Sequence, residues 1–146
     1  MITVEPVTEK DIKAVAEIEL NASEAPWSEA QLSEELNYDF AHLAAARDGE
    51  EIVGFIDFHI SGQNAHINEL AVEEKSRRAG AGEALVAFAE QTARSFGCRE
   101  VTLECSEKNA PARALYMKRG FSDVGRRKVF YKSPPADATV MKKELF

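Results

Sequence analysis

The apolar residues of this chain change period as it runs. Ile2 and Val4 alternate with polar neighbours, the two-residue period of a short first strand. From Ile12 the spacing becomes helical: Ile12, Val15, Ala16, Ile18 and Glu19 share one stripe, with Thr8 ahead of it as N-cap. Pro26-Trp27-Ser28-Glu29 restarts a helix in which Ser28 is the cap, Gln31 completes a capping box, and Leu32 and Leu36 form the buried side. Residues 41–47 and 51–60 are β-rich runs joined at Asp48-Gly49, a hairpin signal, and Ser61-Gly62-Gln63-Asn64 turns the chain into a third strand over 65–72. A helix over 80–96 follows, with Leu85, Val86, Phe88, Ala89, Thr92 and Ala93 apolar and Gly97 at its end. Val101, Leu103 and Cys105 alternate in another strand. Pro111 opens a last helix, expected to bury Ala114, Leu115 and Met117 and to end at Gly120. Strands over 122–132 and 138–145 flank a turn at Pro134-Pro135.

The order is strand, two helices, three strands, helix, strand, helix, two strands. That predicts an α/β (α+β) protein: a mixed sheet with helices on its faces. No linker, repeat or low-complexity tract interrupts it, so residues 1–146 read as one domain.

Composition narrows the function classes. The 146 residues are 45% apolar and 29% charged, ordinary for a soluble globular protein. No apolar run approaches the roughly 18 residues that span a bilayer, and the N-terminus lacks a basic, signal-like lead. The only cysteines, Cys98 and Cys105, have no zinc-type spacing, so no metal is expected and both read as small buried hydrophobes of a reducing cytoplasm. The net charge of −7 argues against indiscriminate binding to nucleic acid or membrane. It hides a split: residues 1–70 carry 15 acids and 3 bases, residues 71–146 carry 10 acids and 15 bases. Two differently charged ligands would explain this, as would uneven surface composition.

The basic excess begins at Lys75-Ser76-Arg77-Arg78-Ala79-Gly80-Ala81-Gly82, directly before the long helix. Glycines let the backbone approach a ligand closely, and a helix N-terminus offers free N–H groups to an anion. A Walker loop would need Gly-Lys-Ser/Thr, where Glu83 and Ala84 stand, and a dinucleotide fingerprint would need a small residue at Leu85. The bland alternative is a glycine turn with solvated arginines nearby.

Arg77-x-x-Gly80-x-Gly82, preceded by Leu70-Ala71-Val72, resembles the acetyl-CoA signature of the GNAT N-acetyltransferases. Asn109-x-x-Ala112-x-x-Leu115-Tyr116, then Lys118-Arg119-Gly120-Phe121, is similar to that family's next helix. Pro26-Trp27-Ser28, Arg126-Arg127 and Asp137-Ala138-Thr139-Val140-Met141 resemble its RimI group, which acetylates the N-terminal alanine of a ribosomal protein. Phe130 and the turn Ser133-Pro134-Pro135-Ala136 depart from that group's pattern, at the peptide end.

The resemblance implies a GNAT fold: a mostly antiparallel sheet of six or seven strands flanked by about four helices. It implies acetyl-CoA as cosubstrate, held by the backbone of Leu70, Ala71 and Val72, by Arg77, Arg78, Ala79, Gly80, Ala81, Gly82 and Glu83, and by Asn109. A cytoplasmic monomer or weak homodimer, acting on a protein N-terminus, is the expected setting. Glu104 matches the group's base and Tyr116 its acid; Glu69 is a rival base and His66 a weaker one. By pattern alone Glu104 could be one of a solvated strand face, Tyr116 a packing tyrosine and Asn109 a helix cap. Trp27, Glu69, Arg127 and Tyr131 are candidates for the peptide end, with Trp27 open to a hydrophobic-staple role. The rival functions are acetylation of lysine or a small amine, and a noncatalytic acyl-CoA sensor.

Overall fold

The computed structural model describes residues 1–146 except Arg78, Ser133 and Pro134, and no side chain at 129–132 or 135. One seven-stranded sheet organises the described chain, in the order β1-β2-β3-β4-β5-β7-β6. Its strands are β1 (Ile2–Pro6), β2 (Ala41–Asp48), β3 (Glu51–Ser61), β4 (Asn64–Val72), β5 (Glu100–Ser106), β6 (Ser122–Lys132) and β7 (Pro135–Glu144). Every neighbouring pair is antiparallel except β4–β5, the one parallel pairing. The helices are α1 (Ile12–Ala22), α2 (Glu29–Glu35), α3 (Ala81–Ser95) and α4 (Ala110–Lys118). Both the strand and helix counts agree with the expected fold.

The sheet separates two apolar layers. Ile56 and Phe58 of β3 and Val101 and Leu103 of β5 pack with Leu85, Val86 and Ala89 of α3 on one face. Phe55 of β3 and Ala45 of β2 pack with Val15 and Ile18 of α1 and Leu32 of α2 on the other. Strand alternation sends successive side chains to opposite faces, so β2, β3 and β4 feed both layers. Glu90 of α3, although buried, is satisfied: Arg119 donates at 2.9 Å and Lys143 at 2.8 Å, tying α3 to the end of α4 and to β7.

Most local signals are realised. Ser28 Oγ accepts the Gln31 N–H at 3.1 Å and Gln31 Oε1 accepts the Ser28 N–H at 2.8 Å, the reciprocal box read from sequence. Cys98 and Cys105 are free thiols and buried.

Three details differ. Thr8 is the N-cap, but of a 3₁₀ turn over Glu9–Asp11 that leads into α1, and its N–H and hydroxyl both donate to Asp11 Oδ2. The β2–β3 loop is Gly49-Glu50, because Asp48 already pairs with Glu51. On α4, Ala114 and Met117 are exposed, and the core side is Ala112, Leu115 and Tyr116. Ala112, Leu115 and Tyr116, three and four residues apart, share one helix face, and Tyr116 packs its ring on Phe121 there.

Gly54 lies where β3, β4 and α3 meet. A Cβ there would sit 2.9 Å from the Ala71 carbonyl oxygen and 3.1 Å from Val72 Cγ2. Gly54→Ala is therefore expected to cost about 1–3 kcal/mol through overpacking, measured by denaturant unfolding.

Candidate active site

The parallel pairing of β4 with β5 runs only from Asn64↔Glu100 to Ile67↔Leu103. Both strands continue, but they part. β4 keeps β3 on its outer edge as far as Val72, and β5 keeps β7 as far as Ser106. Between them opens a cleft of about 460 Å³, lined by residues 67–71 and 103–106, by Glu19 and Glu24 from the α1 side, and by Asn109 and Tyr116. The backbone of Leu70 and Ala71 thus faces a space wide enough for a ligand that hydrogen-bonds like a strand.

Alternation places the cleft's chemistry. On β5, Val101, Leu103 and Cys105 enter the core, and Thr102, Glu104 and Ser106 take the other face. Glu104 accepts from Arg127 Nη1 at 2.8 and 3.1 Å, which fixes the carboxylate at the cleft wall. Burial pushes the Cys105 thiol upward in pKa, Arg113 opposing and Asp123 assisting. Tyr116 is buried, packs edge-to-face on Phe121 with centroids 5.6 Å apart, and reaches the cleft. Asn109 Oδ1 caps α4 by accepting the Ala112 N–H at 3.2 Å, so it lines the cleft and caps the helix at once.

β4 carries a bulge. Asp57 pairs with Glu69 and Phe58 with Ile67, leaving Asn68 as the extra residue. Its amide donates to Asp57 Oδ1 at 3.0 Å. The bulge resets the alternation: Ala65, Ile67, Leu70 and Val72 face the α3 layer, and Ala71 faces the α1 layer. Strict alternation from Ile67 would instead have sent Glu69 into the apolar core.

Glu69 meets Glu19, a residue that its place in an apolar helical stripe made look like packing. Glu19 is fully buried, and its Oε2 accepts the Trp27 N–H at 3.2 Å. Burial raises the Glu69 pKa to about 9, helped by a hydrogen bond with Glu19 and by the charges of Glu19 and Asp57. Asp57, fully buried beneath them, rises to about 8 through burial and then a hydrogen bond with Glu35, against the opposing Asn68 contact. His59 Nε2 lies 2.5 Å from Glu35 Oε1 and 3.5 Å from Asp57 Oδ1. These three could offer a cation one ligand atom each, but they already bond one another, and Asp57 holds its proton at neutral pH.

The cofactor candidates gather at the cleft's far end. Gly80 takes a left-handed conformation, φ +86°, and starts α3; the N–H groups of Ala81, Gly82 and Glu83 then have no acceptor within the helix. A Cβ on Gly82 would meet Leu115 at 3.2 Å. The Glu83 side chain is engaged with Lys118 at 3.1 Å, so its backbone is what it can offer. Ala79 and Arg77 are exposed, and Arg77 Nε donates to the Val72 carbonyl at 3.4 Å. Val72 lines a neighbouring cavity of about 710 Å³ with Lys75 and Arg77. A free strand edge leading to free helix amides, with cations beside them, fits an extended ligand ending in phosphates. Arg78 lies outside the described residues.

At the peptide end the outcome is mixed. Trp27 packs on the α1–α2 layer, ahead of the Ser28 cap, as a staple does, and does not line the cleft. Arg127 is drawn to Glu104. The Tyr131 and Phe130 side chains and Ser133-Pro134 lie outside the described residues. His66 Nδ1 bonds Thr102 Oγ1 at 2.7 Å and burial lowers its pKa, which makes it a poor base. Lys108 and Asn68, which the sequence did not single out, also line the cleft.

Residues 12–121 match the acetyltransferase (GNAT) family. The chain belongs to that family. It is 29% identical over 149 residues to the N-alpha-acetyltransferase RimI of Mycobacterium tuberculosis, covering 98% of this chain and 92% of that one. Its fold is that of the ribosomal-protein-S18-alanine N-acetyltransferase from Escherichia coli, with TM-score 0.90, 24% identity and coverage of 99% and 94%. The NatC complex bound to Gag peptide and CoA contains a chain with TM-score 0.88, 22% identity and 99% coverage of both. This GNAT protein is an acetyl-CoA-dependent N-acetyltransferase. Among the described residues no helix is long and apolar enough to cross a membrane.

The raised carboxyl groups make stability depend on pH. Unfolded Asp and Glu titrate near 4, whereas folded Asp57 and Glu69 titrate at about 8 and 9. The native state binds more protons throughout that window, so their contribution is full below pH 4 and lost as pH rises through 8–9. Thermal unfolding should show the melting temperature falling between pH 6 and 9, with a shallower fall in Asp57→Asn.

Proposed function

We propose that this GNAT protein transfers acetyl to the α-amine of a protein N-terminus, with the N-terminal alanine of a ribosomal protein as the acceptor. The observation that carries this is the cleft wall on which Glu104, held by Arg127, shares one space with Tyr116. Acetyl-CoA supplies a thioester carbonyl and a thiolate leaving group. Glu104 accepts the amine proton, directly or through water, as the nitrogen attacks; Tyr116 gives a proton to the departing sulfur. A backbone N–H near Ala71 or Val72 meets the developing oxyanion. Burial and the Glu19 contact favour the protonated form of Glu69, which supports Glu104 as the base. Cys105, core-packed and pushed toward the thiol form, is a poor acyl carrier, which favours direct transfer in a ternary complex.

An α-amine titrates near 8 and a lysine near 10.4, so a single carboxylate base suits the former better. The acidic first half of the chain, which contributes Glu19 and Glu24 to the cleft, suits a basic ribosomal protein tail.

Short peptides differing at their first residue, assayed by thiol release, provide the test. Ala- or Ser-initiated peptides should turn over and their N-blocked forms should not; turnover of internal lysines alone would replace this reading with a lysine acetyltransferase. Glu104→Gln should lower kcat by roughly a hundredfold or more, with acetyl-CoA affinity retained. An inactive Glu69→Gln beside an unaffected Glu104→Gln would reassign the base. For the basic peptide, KM should rise with salt.

A further inference from the structure

We infer that the Glu19–Glu69 carboxyl pair is the subsite that receives the acceptor amine as its ammonium ion. The inference rests on the acetyl-transfer reading above and adds two specificity-determining residues to it.

The pair lies inside the cleft, on the wall opposite Glu104. Glu69 immediately precedes Leu70 and Ala71, the backbone to which the thioester is assigned, so a cation held there is next to the reacting carbon. Glu19 is fully buried yet lines the cleft. Its Oε2 is occupied by the Trp27 N–H, and its Oε1 receives no N–H from any described residue. A buried carboxylate oxygen without a donor is costly, and the proton shared with Glu69 is its local compensation. An ammonium brings three N–H donors and a full positive charge, and it replaces that proton on better terms.

Charges from the surrounding elements reinforce the preference for a cation. Asp57 of β3 and Glu35 of α2 lie beneath the pair with His59, and Glu24 and Glu104 share the cleft. Among the described residues Lys108 lines the cleft, and Arg127 is bonded to Glu104 at its wall. The pair is thus suited to holding the amine before reaction, and Glu104 to taking its proton. Dividing these tasks explains why the cleft has acids on both sides.

The test is binding rather than turnover. With a non-transferable acetyl-CoA analogue bound at pH 6.5, the Kd of an Ala-initiated peptide is compared with that of its desamino counterpart, which begins with propionyl. Wild type should favour the ammonium by roughly tenfold or more. Glu69→Gln should bring the ratio close to one with acetyl-CoA affinity intact, whereas Glu104→Gln should keep most of it. Glu19→Gln should act like Glu69→Gln; because Glu19 also holds the Trp27 amide, the more accessible Glu69→Gln decides if that variant does not fold. An unchanged ratio in Glu69→Gln, or a ratio lost only in Glu104→Gln, overturns the subsite. A parallel pair of N-acetylated peptides, one with lysine and one with norleucine, separates the two readings. Discrimination confined to lysine and abolished by Glu69→Gln would retain the subsite and refute the α-amine acceptor.

Discussion

The fold turns on a pairing that stops. β4 and β5 hydrogen-bond in parallel for four residues each and then part, although each keeps an antiparallel partner on its outer side. A central strand edge normally cannot be left open, because unpaired backbone groups are costly away from water. Here the opening is the binding cleft, and the groups left free on β4 are those a strand-like ligand would satisfy. Loss of the outer pairings would let the strands close or fray, so β3 and β7 maintain a site they barely touch.

The two faces of the sheet solve different problems. The α3 face is nearly pure hydrocarbon, and Glu90, the one deeply buried acid there among the described residues, is matched by Arg119 and Lys143. The α1–α2 face collects Glu19, Glu35, Asp57 and Glu69 with a single histidine among them. Carboxyls in such company cannot all ionise, and sharing protons is the way they coexist. The Asn68 bulge adds to this asymmetry, since one extra residue moves Glu69 out of the hydrocarbon and onto the acidic side.

Much of the architecture was legible because its signals are local. The Ser28–Gln31 box, the glycine-bounded hairpins and the alternation of Val101, Leu103 and Cys105 depend on neighbours within a few residues. Glu104 and Tyr116 could be chosen only by resemblance, since a strand glutamate and a helix tyrosine also suit a surface and a core. The buried side of α4 was less legible, because Ala114 and Met117 weigh as heavily as Tyr116 in the pattern. Glu19 escaped notice for the opposite reason, having the right spacing for a core position.

By itself, the sequence determined the periods, the caps, the turn glycines and the basic run ahead of α3. From these followed the element order and, by resemblance, the family. All are properties of short stretches, where spacing alone fixes which face a side chain takes. Tertiary structure decided where β4 and β5 separate, that Asn68 shifts the register, and that Glu19 and Glu69 meet inside the cleft. Those outcomes depend on strands and helices far apart in the chain competing for the same partners. The charge on a carboxyl likewise follows from which other charges are folded against it.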